Sequence, residues 1–291
     1  MKRILFLILI ALLLLAGCSK PAPNGATPTP AEPELTPTST AIPIALMVNG
    51  QGITLVEYEA ALLRLKEAQE SIGQAGMDQE QKERVLRNFT DELLLAQAAA
   101  QNGRVVDDAE LQTRIDKLAA DIGGEANLTA WQERNYYSPE SFRESLRRAI
   151  LVSWQRDEII NAVPATAEHI RARQILVQDE DNAAFAYAKL QSGTDFETLA
   201  FQYDFTLGGD LGWFPRGMLT QPNVEEAVFA LQPGEYTEVI KSNIGYHIVY
   251  VIAREMEHKL SIESRRMMQE KALQAWLEAA RAASSVEILA Q

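Results

Sequence analysis

The sequence predicts an α+β fold: a mostly helical region followed by a compact module that mixes helices with a small sheet. Two observations predict it. Apolar residues recur every three or four positions in several stretches between residues 55 and 161, as in amphipathic helices. Between residues 166 and 256 the pattern changes to strand, helix, helix, loop, helix, strand, strand, which suits helices packed on a small sheet.

The chain has 291 residues, 47% of them hydrophobic, with a formal net charge of −13. That length allows two ordinary domains with real cores. The acidic balance argues against general nucleic-acid binding, which needs a basic face, and against a polybasic membrane patch.

Residues 1–18 read as an export leader. Lys2 and Arg3 precede an apolar run from Ile4 to Ala16, too short for a transmembrane helix and of signal-peptide length. The run ends in Leu15-Ala16-Gly17-Cys18, and Cys18 is the single cysteine of the chain. These residues resemble the bacterial lipobox, which implies a lipid on the Cys18 thiol and cleavage before it. Residues 19–43 hold seven of the twelve prolines and no apolar period. Such a segment cannot bury enough surface to order itself. Extended at about 3.1 Å per residue, it would reach roughly 75 Å.

Residues 44–165 form the expected helical arm. Ala45–Val48 reads as a strand, Asn49-Gly50 as a turn, and Gln51–Thr54 as a short return. Thr54 could cap a helix carrying Tyr58, Leu62, Leu63 and Leu65. A second helix is expected over about 78–102, with Val85, Phe89, Leu93, Ala96 and Ala100 on one side and Gly103 ending it. Asp107 or Asp108 starts a third, and a weaker one lies near 128–134. Ser138-Pro139 pairs a capping serine with proline at the first helical position. The helix it opens stops at Val163-Pro164-Ala165.

Residues 166–256 are expected to hold strands at 171–177, 236–240 and 247–253. Helices are expected at 181–191, after Asp195, and at 224–231, with a turn-rich crossing at 208–214. Four stretches stand out: Ile170-Arg171-Ala172-Arg173-Gln174-Ile175-Leu176-Val177, Asp195-Phe196-Glu197-Thr198-Leu199-Ala200, Gly208-Gly209-Asp210-Leu211-Gly212-Trp213-Phe214, and Gly245-Tyr246-His247-Ile248-Val249. With Ala227-Val228-Phe229-Ala230-Leu231 they resemble, in order, the parvulin (PpiC-type) peptidyl-prolyl isomerases. The opening Val-Asn-Gly and the helices after it resemble the SurA/PrsA-type secretion chaperones. Together they imply a PrsA-like foldase lipoprotein on the outer face of the cytoplasmic membrane. The parvulin module would be inserted in a helical chaperone domain, and the helix of residues 257–291 would pack back on the arm.

The resemblance implies isomerisation of X-Pro bonds in unfolded exported polypeptides, with no metal or cofactor. Carried over residue by residue, the family's second histidine is His247 and its first is replaced by Gln174. Glutamine can donate and accept a hydrogen bond but cannot titrate. The loop that supplies the family's cysteine or aspartate is shortened, leaving Asp204 or Thr206 for that place. The apolar slot for the proline ring is assigned to Met218 or Leu219 with Val224, and Phe229 reads as core beneath it. His169 and His258 fall outside the matching stretches and are expected at exposed linker positions. A holdase with a degenerate parvulin module is the alternative, motivated by Gln174, the short loop and Val224.

Overall fold

The computed structural model describes residues 42–74 and 79–290. The leader, Cys18 and nearly all of the proline-rich segment lie outside the described residues.

The arm begins with a hairpin, β1 (Ile44–Val48) and β2 (Gln51–Thr54). Asn49 and Gly50 have φ of 51° and 82°, the left-handed pair that a two-residue hairpin turn requires. Thr54 then caps α1 (Leu55–Ser71), its hydroxyl accepting from Glu57 N at 3.1 Å. The remaining arm helices are α2 (Gln79–Gln101), α3 (Asp108–Asp121), α4 (Glu125–Arg134) and α5 (Pro139–Asn161). Asp107 caps α3, and Ser138 with Ser141 forms a reciprocal capping box on α5.

Leu46, Val48 and Ile53 are fully buried against Tyr58 of α1 and Val85, Phe89 and Leu93 of α2. This core also receives the end of the chain. From α9 (Ile262–Ala282), Trp276 and Ala280 pack on it, and Arg281 clasps Asp91 of α2 with two bonds of 2.7 and 2.6 Å. The expectation of a helix throughout 257–291 needs correction. Residues 257–259 are still strand, and after α9 the chain forms β7 (Val286–Ile288). β7 pairs antiparallel with β1, giving the order β2-β1-β7. Three residues are too few to show a period, and the strand exists because β1 offers a free edge.

The second module is an antiparallel sheet of order β4-β3-β6-β5, with β3 (Thr166–Val177), β4 (Asp210–Pro215), β5 (Ile240–Ser242) and β6 (Gly245–Lys259). Helices α6 (Glu180–Gln191) and α7 (Phe196–Tyr203) cover one face through Ala186, Leu190, Phe196 and Leu199, which meet Ile175 and Ile248. Helix α8 (Pro222–Ala230) covers the other through Val224, Val228 and Phe229, which meet Ile170, Ala172, Val249 and Val251. Period-two alternation along β3 therefore sends Arg171, Arg173 and Ile175 to the α6–α7 face.

Several strand bounds differ from expectation. β3 starts at Thr166 rather than at 171, and β6 runs to 259 rather than 253. The extra length is a two-stranded ribbon of charged residues, which hides the apolar pattern. Glu168 holds it together by bonding Arg254 across the strands and Arg216 at 3.3 Å. The crossing at 208–214 contains a true strand, β4. The strand expected at 236–240 is replaced by one bridge, Tyr236 to Tyr250, and the paired stretch is Ile240–Ser242.

The expected exposed linker positions of His169 and His258 are also overturned. His169 is on β3 and only 3% exposed, and its ring lies 4.6 Å from that of His258 on β6. Trp213 stacks on His258 at 5.0 Å. His169 is thus buried and His258 half-buried on the strand ribbon, an aromatic packing that the sequence pattern does not display.

Candidate functional site: a histidine cluster beside an apolar surface

Strand register brings together Gln174 on β3, His247 on β6 and Ser242 on β5. Gln174 lies opposite Val249, and His247 lies opposite Leu176, so the glutamine side chain reaches diagonally across one pair. Its Oε1 is 3.2 Å from His247 Nδ1, and Ser242 Oγ is 2.8 Å from His247 Nε2. His247 is 3% exposed, and burial pushes its pKa below the ordinary imidazole value. The ring is therefore neutral near pH 7, with one donor and one acceptor nitrogen. With Oε1 facing the ring, Nδ1–H donates to Gln174, while Ser242 Oγ, which also lies 3.2 Å from Gly245 O, faces Nε2. Ser242 Oγ in turn accepts from Ile244 N at 3.1 Å. Because its amide carries both a donor and an acceptor, Gln174 can also serve the other tautomer when turned round.

Asp204 and Thr206 do not join this cluster. Asp204 caps the end of α7. Its carboxylate accepts from Thr206 N and Leu207 N at 3.1 Å each and from Gly209 N at 3.0 Å. Bonds from Leu207 and Gly209, and then from Thr206, hold this carboxyl below the usual range, so it is ionised and engaged by its own loop. Thr206 is exposed at the loop tip. Asp204 acts on the cluster at one remove. Gly209 O accepts from Gln174 N at 2.8 Å, so the clipped loop is bonded to the backbone of the glutamine that touches His247.

The residues expected to line the slot separate into two kinds. Val224 and Phe229 are 2% and 3% exposed and belong to the closed core, Phe229 standing edge-on to Phe214 at 6.0 Å. The expected place of Val224 as a wall of the slot is corrected, because α8 turns it inward against the sheet, while Phe229 is core as its position suggested. Met218 and Leu219 are half-buried on the same apolar cluster and retain surface, with Leu211 and Ile240 partly exposed in that cluster. Their loop is fixed by Glu225, whose Oε1 accepts from Gly217 N at 2.7 Å and Leu219 N at 3.1 Å. Sequence reasoning missed Ser242 and Glu225. The available signal for Ser242 was a hydroxyl at the turn before a motif histidine. For Glu225 it was a carboxylate just inside a helix preceded by proline.

Comparison with known proteins bears on the two modules. Residues 159–253 match the family described as PPIC-type PPIASE domain, and residues 1–156 match the SurA-like N-terminal domain. The Foldase protein PrsA of Caldanaerobacter subterraneus subsp. tengcongensis is 31% identical over 225 residues, 71% of this chain and 72% of that protein.

The chain belongs to the PrsA family of parvulin-type foldases.

A second PrsA relative, from Geobacillus kaustophilus, is 29% identical over 64% of this chain and 72% of its own length. Among solved structures, a peptidylprolyl isomerase (PrsA) from Bacillus cereus aligns over 79% of this chain and 84% of its own, with 22% identity and a TM-score of 0.44. Within the PrsA family frame, the chemistry open to the cluster is a neutral, hydrogen-bonded imidazole next to apolar surface. That arrangement needs no nucleophile to act on an amide torsion.

Proposed function

We propose that this chain is a peptidyl-prolyl cis-trans isomerase, tethered by a lipid on Cys18 and acting on unfolded exported polypeptides outside the cytoplasmic membrane. The observation that carries the reading is the buried, neutral His247, bonded to Gln174 and Ser242 in the module that also presents Met218 and Leu219. An amide resists rotation by about 18–20 kcal/mol because of resonance. A catalyst lowers this barrier by holding the twisted amide better than either planar form. Met218 and Leu219 take the proline ring, and the His247 cluster, buried from water, provides fixed dipoles for the twisted carbonyl. Relatives named as foldases support the substrate class. The anchor rests on the sequence alone, from the apolar run ending at Cys18. No helix among the described residues is long and apolar enough to cross a membrane.

The deciding experiment is a protease-free proline-isomerisation assay on residues 19–291. Acceleration above the spontaneous rate is expected, with His247→Ala reducing it. A rate equal to the spontaneous one, with aggregation of unfolded clients still suppressed, would replace this reading with a holdase. Gln174 favours that second reading, because it cannot carry the charge of the imidazole it replaces. Mass analysis of the N-terminal peptide from cells tests the anchor, and an unmodified Cys18 would exclude it.

A further inference from the structure

The last strand of the arm leaves one edge open. In the order β2-β1-β7, β7 pairs with β1 alone. Register fixes which of its backbone groups face out. Asn49 N donates to Ser285 O at 2.9 Å and Leu289 N to Ala45 O at 2.8 Å, so residues 285, 287 and 289 face β1. Val286 and Ile288 stand between them, opposite Val48 and Leu46, and turn their N–H and C=O groups away from β1. Four backbone groups therefore point outward with no bond to any described residue. Sheets guard such an edge with lysine, proline or a bulge. Val286-Glu287-Ile288 has none of these.

An apolar cavity of about 390 Å³ adjoins the same edge. It is lined by Val286 and Ile288, 38% and 60% exposed, with Tyr58 of α1 and Leu86 and Thr90 of α2. The two β7 side chains lie on the face of buried Val48 and Leu46, the residues they oppose. An incoming strand that pairs with Val286 and Ile288 sends its own side chains at those two positions to this face. Main-chain bonds along an edge, with alternate side chains received in a pocket, are the physical basis of strand addition.

Charge narrows the occupant. Glu287 points to the other face, is exposed and has no ion pair among the described residues. In an antiparallel addition the partner's middle residue stands directly opposite it, where a basic side chain attracts and an acidic one repels. The same rule disfavours a second copy of this chain. Two β7 edges meeting with residue 286 opposite 288 set Glu287 against Glu287, and a net charge of −13 on each copy adds to the repulsion. We propose that the outer edge of β7 is a strand-addition site for an extended segment of another polypeptide, in which a basic residue stands between two large apolar ones. The site lies on the arm and does not depend on the His247 cluster.

The test uses the chain from residue 19 and fluorescein-labelled peptides without proline, so that X-Pro isomerisation plays no part. Their centre is Val-Lys-Val, Val-Glu-Val, or Val-Lys-Val with both valine nitrogens methylated. Fluorescence anisotropy should show Val-Lys-Val bound roughly two- to ten-fold more tightly than Val-Glu-Val. The methylated peptide lacks the donors that meet the edge and should not bind saturably. Val286→Pro removes one outward N–H and keeps the pairing with β1, since proline is tolerated on an edge strand whose N–H faces solvent. It should weaken Val-Lys-Val about five-fold. Glu287→Lys should invert the preference between the first two peptides, which a merely destabilised strand would not do. Circular dichroism checks that both variants fold; should Val286→Pro fail to, Glu287→Lys and the methylated peptide decide. No binding, equal affinity for the three peptides, or a preference unmoved by Glu287→Lys overturns the proposal. Dimers in sedimentation velocity that Val286→Pro abolishes, without peptide binding, overturn it in favour of a second copy.

Discussion

Alanine at Gly209 tests how the loop is joined to the cluster. Gly209 and Gly212 share a φ of 66°, a left-handed conformation that costs an L-residue about 1–2 kcal/mol. They differ in their surroundings. A Cβ on Gly212 meets nothing within 4 Å, whereas one on Gly209 would sit 1.8 Å from the Gln174 carbonyl oxygen. A tolerable C···O contact is about 3.3 Å, so β3 and the loop must part by about 1.5 Å. That movement breaks the Gln174 N to Gly209 O bond of 2.8 Å. Leaving that amide unpaired costs about 1–3 kcal/mol. Alanine also restricts the unfolded chain, a gain of about 0.4–1 kcal/mol that both variants share. Gly212→Ala should therefore lose about 1 kcal/mol, and Gly209→Ala about 2 kcal/mol more than that. Urea titrations of both variants measure the difference. Isomerase activity should fall further in Gly209→Ala, because Gln174 moves relative to His247. Equal losses of stability in the two variants would refute the proposed joint.

Other outcomes are expected from the same contacts. Gln174→His should raise isomerase activity several-fold, read as kcat/KM, if the glutamine limits the cluster; an unchanged rate in a folded variant argues that it does not. The pH dependence follows from His247, whose folded pKa lies below its unfolded value because of burial. The unfolded chain then takes the proton first as pH falls, so stability is full above about 6.5 and declines below it. His247→Asn should flatten that decline in urea titrations at pH 7 and pH 5, and an identical slope would reject the assignment. In the arm, Arg148 is largely buried and joins Glu92 at 3.0 Å and Glu57, tying α5 to α2 and α1. Arg148→Ala should cost about 1–3 kcal/mol, chiefly by leaving the largely buried Glu57 carboxylate without its partner. A urea midpoint unchanged from the parent would contradict that.

The sequence by itself determined the elements whose causes are local. Thr54, Asp107, Ser138 and Asp195 cap helices through bonds to residues three positions on, so the caps were readable without any fold. Asn49-Gly50 was legible as a hairpin turn for the same reason. The stretches around Gln174 and His247 were legible as family motifs, and the structure places those two side chains in contact. Tertiary structure alone decided what depends on distant partners. β7 is strand because β1, some 240 positions earlier, has an open edge. The ribbon ends of β3 and β6 are polar because no helix covers them, so they pair without an apolar pattern. The ring of His169 packs on His258, on which Trp213 stacks in turn, contacts that no spacing rule encodes. The same distinction runs through the site. Residue type could offer Asp204 as a cluster member, but only the folded loop shows its carboxylate turned to three backbone amides and its neighbours Phe205 and Leu207 turned to solvent. A side chain's chemistry is set by its covalent structure, and which partner uses that chemistry is set by packing.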